Sequence, residues 1–182
     1  MSDPSSRVWP SAAPAASAPA AQPSAPNWRF MLSHPAHGVA LGFGSGLLHP
    51  GPGTWGTLAG WMAFVALEGW LSTAGWALVI AGTFLIGAAC AHRTGIALGR
   101  PDHGAIVIDE VVAIWVVLLM LPPALGWQAI GVAVFRLFDI AKPPPIRALD
   151  RRWKNGLGVM VDDLLAALYT LLVVAVVIRW LG

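Results

Sequence analysis

The segment "VDDLLAALYTLLVVAVVIRWL", Val161 to Leu181, carries only two acids at its start and one arginine near its end. A helix that crosses the hydrocarbon core of a bilayer needs about 20 predominantly apolar residues, and this run supplies them. Four shorter apolar segments precede it, at about Thr57–Leu71, Gly75–Ala91, Ile106–Leu121 and Leu125–Phe138. Only 11% of the 182 residues are charged, against roughly 25% in an ordinary soluble domain. The chain therefore reads as an all-α, polytopic membrane helical bundle with four to five short transmembrane or re-entrant helices.

Punctuation supports that division. Pro122 and Pro123 separate the third and fourth segments, where each proline removes an amide donor and clashes with the preceding turn. "LEGWLSTAGW" turns the chain between the first two, with tryptophans suited to a membrane interface. Residues 1–26 hold six prolines among Ala and Ser and no apolar stretch of roughly 7–15 residues, which excludes a secretory signal and predicts a disordered tail. Residues 27–182 form the membrane-embedded domain. The lone Cys90 excludes an internal disulfide and a cysteine-rich metal site.

Of the 11 Lys and Arg, six (Arg136, Lys142, Arg147, Arg151, Arg152, Lys154) lie in or beside one loop, and Arg93 and Arg100 in another. The positive-inside tendency puts both loops in the cytoplasm. The first two spans then make an outward hairpin, a second hairpin turns at Pro122, and the last helix leads outward. A net charge of +2 in such a chain reflects topology and implies no nucleic-acid partner.

Seven of the nine acids fall between Asp102 and Asp163. Two doublets, Asp109-Glu110 in "IVIDEVV" and Asp162-Asp163 in "VMVDDLL", stand at the expected starts of apolar helices. One acid per helix is explained by capping, for roughly 0.3–1 kcal/mol. The second, about 100° further round the helix, needs its own partner among Val, Met and Leu. Ionised carboxylates inside a membrane are costly and mark function by default, and a hard divalent cation such as Mg²⁺ would relieve the repulsion between doublets brought together.

Between the last two spans, "FRLFDIAKPPPIRALDRRWKNGLGVMVDD" interleaves bases with acids. Arg136 and Asp139, three apart, share a helix face and predict a local ion pair. Lys142 precedes Pro143, Pro144 and Pro145, which reads as a stiff extended segment fixing Lys142 relative to Arg147. Basic residues next to a membrane also bind anionic head groups. Cations for phosphate oxygens beside carboxylates for a metal is the pairing that phosphoryl chemistry requires. The glycine-rich "GFGSGLLHPGPGTWGT" lacks the Gly-Lys-Ser/Thr of a nucleotide loop. It suits either an anion site of backbone amides with the Thr54 hydroxyl or a tight membrane-entry loop. The five histidines show no ligand spacing, and only His103, beside Asp102, has a neighbour suited to a site. No Asp-x-Asp-x-Thr, Cys-x5-Arg or Gly-x-Ser-x-Gly nucleophile motif occurs, which leaves metal-activated water.

"GFGSGLLHPGPGTWGT", "DHGAIVIDE", "FRLFDIAKPPPIRALDR" and "GLGVMVDDLLAA", in this order, resemble the bacterial phosphatidylglycerophosphatase A family from about Leu41 to the C-terminus. Pro144 and Ala113 depart from the family pattern, where an aromatic and a glycine are usual. The resemblance implies an inner-membrane, Mg²⁺-dependent phosphatase that converts phosphatidylglycerophosphate in the bilayer to phosphatidylglycerol, with its site facing the cytoplasm. It further implies that Asp109, Glu110, Asp162 and Asp163 are the metal and water-activating carboxylates, and that Asp139 completes the catalytic set. Arg136, Lys142, Arg147 and Thr54 are then expected on the substrate. A small ion- or proton-coupled transporter, or a non-catalytic membrane assembly protein, would share the acids and the basic loop but predicts midplane acids or dispensable doublets respectively.

Overall fold

A computed structural model describes residues 25–148, 153 and 155–181. Residues 1–24, which include nearly all of the tail expected to be disordered, lie outside the described residues, as do Asp150, Arg151, Arg152 and Lys154. Every regular element among the described residues is helical: α1 (Trp28–Leu32), α2 (Pro35–Ala40), a 3₁₀ hook (Gly42–Leu47), α3 (Pro52–Leu67), α4 (Thr73–Ala97), α5 (Ile108–Met120), α6 (Leu125–Ala141) and α7 (Gly156–Leu181).

Local chemistry sets the boundaries. Pro52 sits in the first turn of α3, where its missing N–H costs nothing, and Gly51 ahead of it takes a left-handed φ of 69°. The Ser72 hydroxyl accepts from the Gly75 amide at 3.1 Å and caps α4. Pro122 and Pro123 fall between α5 and α6, as expected. The three prolines after Lys142 do not form an extended strut. The Ile146 amide donates to the Pro143 carbonyl at 2.8 Å and Ala148 to Pro145 at 2.9 Å, so the segment closes into a turn.

α5 is the hub, packed by α3, α4, α6 and α7. Ten of its residues are buried, Asp109 and Glu110 included. Its 13 residues rise only about 20 Å, short of the ~30 Å hydrocarbon core. The apolar character of "VVAIWVVLLM" thus serves contact with other helices. α4 and α7 differ: both are long and apolar enough to cross a membrane. Their outward residues, among them Leu78, Leu85, Leu172, Val176 and Trp180, are exposed apolar side chains.

α3 meets α5 through glycines. A Cβ on Gly56 would stand 2.6 Å from Val107 Cβ, and one on Gly60 would stand 3.1 Å from Val111 Cα. The Trp115 indole of α5 donates to the Gly60 carbonyl at 2.8 Å, and Trp61 donates to the buried Gln128 of α6 at 2.8 Å. These bonds satisfy polar atoms that would otherwise be stranded in an apolar bundle.

Candidate active site

The first turn of α5, the last turns of α6 and the second turn of α7 converge at one end of the bundle. Asp109, Glu110 and Asp163 offer carboxylate oxygens that all lie within 4.8 Å of one another, and all three residues are buried. One oxygen on each of Asp109, Glu110 and Asp163 is buried without a hydrogen-bond partner.

Capping does not account for these acids. Val107 precedes α5 with no side-chain cap, and Asp109 and Glu110 follow it inside the first turn. α7 begins at Gly156, earlier than its apolar run suggests, so Asp162 and Asp163 lie well within the helix rather than at its start. The capping function there belongs to Asn155, whose side chain accepts from the Gly158 amide at 2.8 Å.

Two cations enter the cluster. Arg136 pairs with Asp139 across one turn of α6, as their spacing predicted, and its Nη1 also lies 3.6 Å from Glu110 Oε1. Lys142 donates from Nζ to Asp162 Oδ2 at 2.5 Å, which ties the end of α6 to α7. Lys142 holds a left-handed backbone, φ 40° and ψ 65°, while its amide closes α6 on Phe138 at 2.8 Å.

The remaining expectations divide. Arg147 is exposed, its guanidinium donating to the Ala141 carbonyl at 3.3 Å. Thr54 is exposed on α3. His103 is half-buried, its Nδ1 accepting from the Ala105 amide at 3.2 Å, a local turn. The hydroxyl that does reach the cluster is Thr57, fully buried, which donates to the Gly53 carbonyl at 2.9 Å and accepts from Arg136 Nη1 at 3.5 Å. Gly53 stands beside it: a Cβ there would collide with Glu110 Oε1 and lie 3.1 Å from both terminal nitrogens of Arg136. Gly53 and Thr57, four apart, share one face of α3, and it is the packing of that face on α5 and α6 that turns the second threonine, not the first, inward. A second buried polar contact lies apart from the acids. His37 Nδ1 meets Thr94 Oγ1 at 2.9 Å, with burial first and His34 and Arg93 next pulling the imidazole pKa below its usual value.

Buried carboxylates with unpartnered oxygens at mutual distances of a few ångströms form a hard, all-oxygen donor set, and such a set suits an oxygen-seeking divalent cation. Arginine and lysine beside them suit phosphate oxygens. Together they can hold a phosphoryl group and activate water against it.

The family model for phosphatidylglycerophosphatase A matches residues 38–178. The chain is 44% identical over 155 residues to a Haemophilus influenzae protein named phosphatidylglycerophosphatase A, covering 84% of this chain and 94% of that one. It is 41% identical over 139 residues to the Escherichia coli protein of the same name, covering 76% and 80%. A Bacteroides thetaiotaomicron protein, provisionally named a phosphatidylinositol-3-phosphatase, is 37% identical over 152 residues, covering 78% and 92%. No solved structure matches.

Proposed function

The chain belongs to the phosphatidylglycerophosphatase A family, and from that premise we propose that the carboxylate cluster of α5, α6 and α7 is its catalytic centre. The reaction is hydrolysis of the phosphate monoester of phosphatidylglycerophosphate to phosphatidylglycerol and inorganic phosphate, a step of phospholipid synthesis. The observation that carries the assignment of the site is the buried group Asp109, Glu110 and Asp163, gathered within 4.8 Å with Arg136 against it.

Asp109 and Asp163 would hold Mg²⁺, with Glu110 offering an oxygen to the same set, while Asp162, whose Oδ2 accepts from Lys142, borders it. When bound, the ion supplies positive charge for the phosphoryl oxygens and makes a nearby water more acidic. Glu110 orients the attacking water and takes its proton. Arg136 and Lys142 neutralise the charge that develops on the phosphoryl oxygens as the ester bond breaks. Asp139 keeps Arg136 aimed at the site, while Arg147 and Thr54 meet the head group at the rim. In this reading α4 and α7 span the bacterial inner membrane, the shorter α3, α5 and α6 complete a bundle of four to five membrane helices, and the site opens to the cytoplasm. The basic residues beside it support that side.

Phosphate release by purified protein from phosphatidylglycerophosphate, with Mg²⁺ or with chelator, tests the assignment. Asp163→Asn and Glu110→Gln are each expected to lower kcat by about 100-fold or more, as loss of a general base or charge partner does. Full activity of either variant, or full activity in chelator, would sink it. Phosphatidic acid and phosphatidylinositol 3-phosphate belong in the same assay, the second because one relative's name points to it; preference for either would replace the substrate and leave the chemistry.

A further inference from the structure

Phe43 is out of place in two respects. Its backbone is left-handed, φ 53°, between Gly42 at 54° and Gly44 at 107°, a conformation that bulky side chains rarely adopt. Its ring is also 81% exposed. The hook that carries it is nevertheless fixed. The Val107 amide donates to the Ala40 carbonyl at 2.9 Å, and Gly46 lies against the Ala105 carbonyl so closely that a Cβ would collide with it. Val107 is two residues ahead of Asp109, so this anchoring sets Phe43 at the level of the carboxylates.

From that level two apolar grooves run down the bundle, and Gly42, Phe43 and Ala59 line both. One, of about 390 Å³, descends between α3, α4 and α5 past Ala63 to Leu67 and Trp115. The other, of about 700 Å³, follows the outer side of α3 past Leu58 and Met62. Ala59 to Leu67 alone is a helical rise of about 12 Å. Both volumes fall in the range of small-molecule sites, roughly 300–1,000 Å³. We propose that the two grooves take the two acyl chains of the diacyl lipid substrate, one on each side of Phe43, so that its phosphate hangs beside Asp109, Glu110 and Asp163.

This rests on the catalytic reading above and adds how the lipid is held. Three features select acyl chains as the occupant. The first groove reaches Ile108 and Val111, the residues on either side of the Asp109-Glu110 pair in the chain, and the second meets it at Gly42, Phe43 and Ala59. They run along the helix axes, the direction lipid tails take in a bilayer. Their walls offer almost no polar groups, so a peptide lodged there would leave its backbone unsatisfied. A fixed aromatic ridge between two apolar grooves distinguishes a lipid with two chains from one with a single chain.

The test uses the full chain in mixed micelles, comparing diacyl phosphatidylglycerophosphate with its single-chain lyso form. Ala63→Phe plugs the first groove, and Phe43→Ala removes the ridge. Ala63→Phe should lower kcat/KM for the diacyl lipid about tenfold, through KM, while the lyso lipid, seated in the open groove, changes by less than about twofold. Phe43→Ala should likewise bring the diacyl-to-lyso ratio toward one. Retained lyso activity reports that each variant is folded. An unchanged ratio in both variants, or equal loss on both lipids, overturns the grooves while Asp163→Asn remains inactive. No phosphate release from either lipid by the unmodified protein would overturn the catalytic reading itself.

Discussion

At Lys142 one residue does two incompatible things. A helix ending in the left-handed conformation favours glycine, because any Cβ there meets the following carbonyl at a cost of roughly 1–2 kcal/mol. The chain keeps a lysine, and its Nζ reaches Asp162 on α7. Two substitutions separate the backbone from the charge. Lys142→Gly and Lys142→Ala both remove the ammonium and should lose phosphate release alike, whereas thermal unfolding should find the glycine variant more stable by about 1 kcal/mol. Equal midpoints would show that the left-handed backbone is not strained. The lysine was legible from sequence as a candidate cation, since it precedes three prolines beside a run of acids. Its partner and conformation were not, because both depend on where α7 passes.

At and along α3 the glycines of "GPGTWGTLAG" serve distinct ends that composition cannot tell apart. Gly51 supplies a positive φ, Gly56 and Gly60 let α3 approach α5, and Gly53 leaves room for the functional ends of Glu110 and Arg136. Gly56→Ala would press on Val107 Cβ, beside the main chain, and should cost about 1–3 kcal/mol of stability. Gly53→Ala meets only the tips of two flexible side chains, which can swing aside. It should leave the thermal midpoint within about 1 kcal/mol of the parent yet lower kcat by about 100-fold, since shifting catalytic groups by an ångström is enough. The opposite pattern, an unstable Gly53→Ala that keeps its kcat, would contradict this division. Helix existence was legible from apolar runs and prolines, and so were the acids, because carboxylates in apolar surroundings are conspicuous. Thr57 was hidden in the same motif as Thr54, and only the phase of α3 against α5 decides which one faces inward. The surroundings of α5 were not legible either, since a helix enclosed by protein and one enclosed by lipid have the same composition.

Across the whole molecule, one end of the bundle gathers groups that repel. Five carboxyl groups, on Asp109, Glu110, Asp139, Asp162 and Asp163, meet two cationic side chains, Arg136 and Lys142, and they come from three helices. Packing farther along α5 must therefore hold α6 and α7 against a partly uncompensated cluster. A divalent cation that binds the folded cluster and not the unfolded chain stabilises the fold by mass action, about 2.7 kcal/mol at a hundred times its dissociation constant. Thermal unfolding in detergent should thus show a midpoint that rises with Mg²⁺ and falls back with chelator, in the absence of any lipid. Asp163→Asn should have two effects of opposite sign. Without metal it removes one of the repelling groups and should raise the midpoint; with metal it removes a ligand and should abolish the Mg²⁺-dependent increment. A variant still stabilised by Mg²⁺ as much as the parent would place the ion elsewhere, whatever its effect on turnover. A variant less stable than the parent in chelator would instead mean that Asp163 is satisfied within the fold, and the cluster would then be a hydrogen-bonded network with no call for a cation.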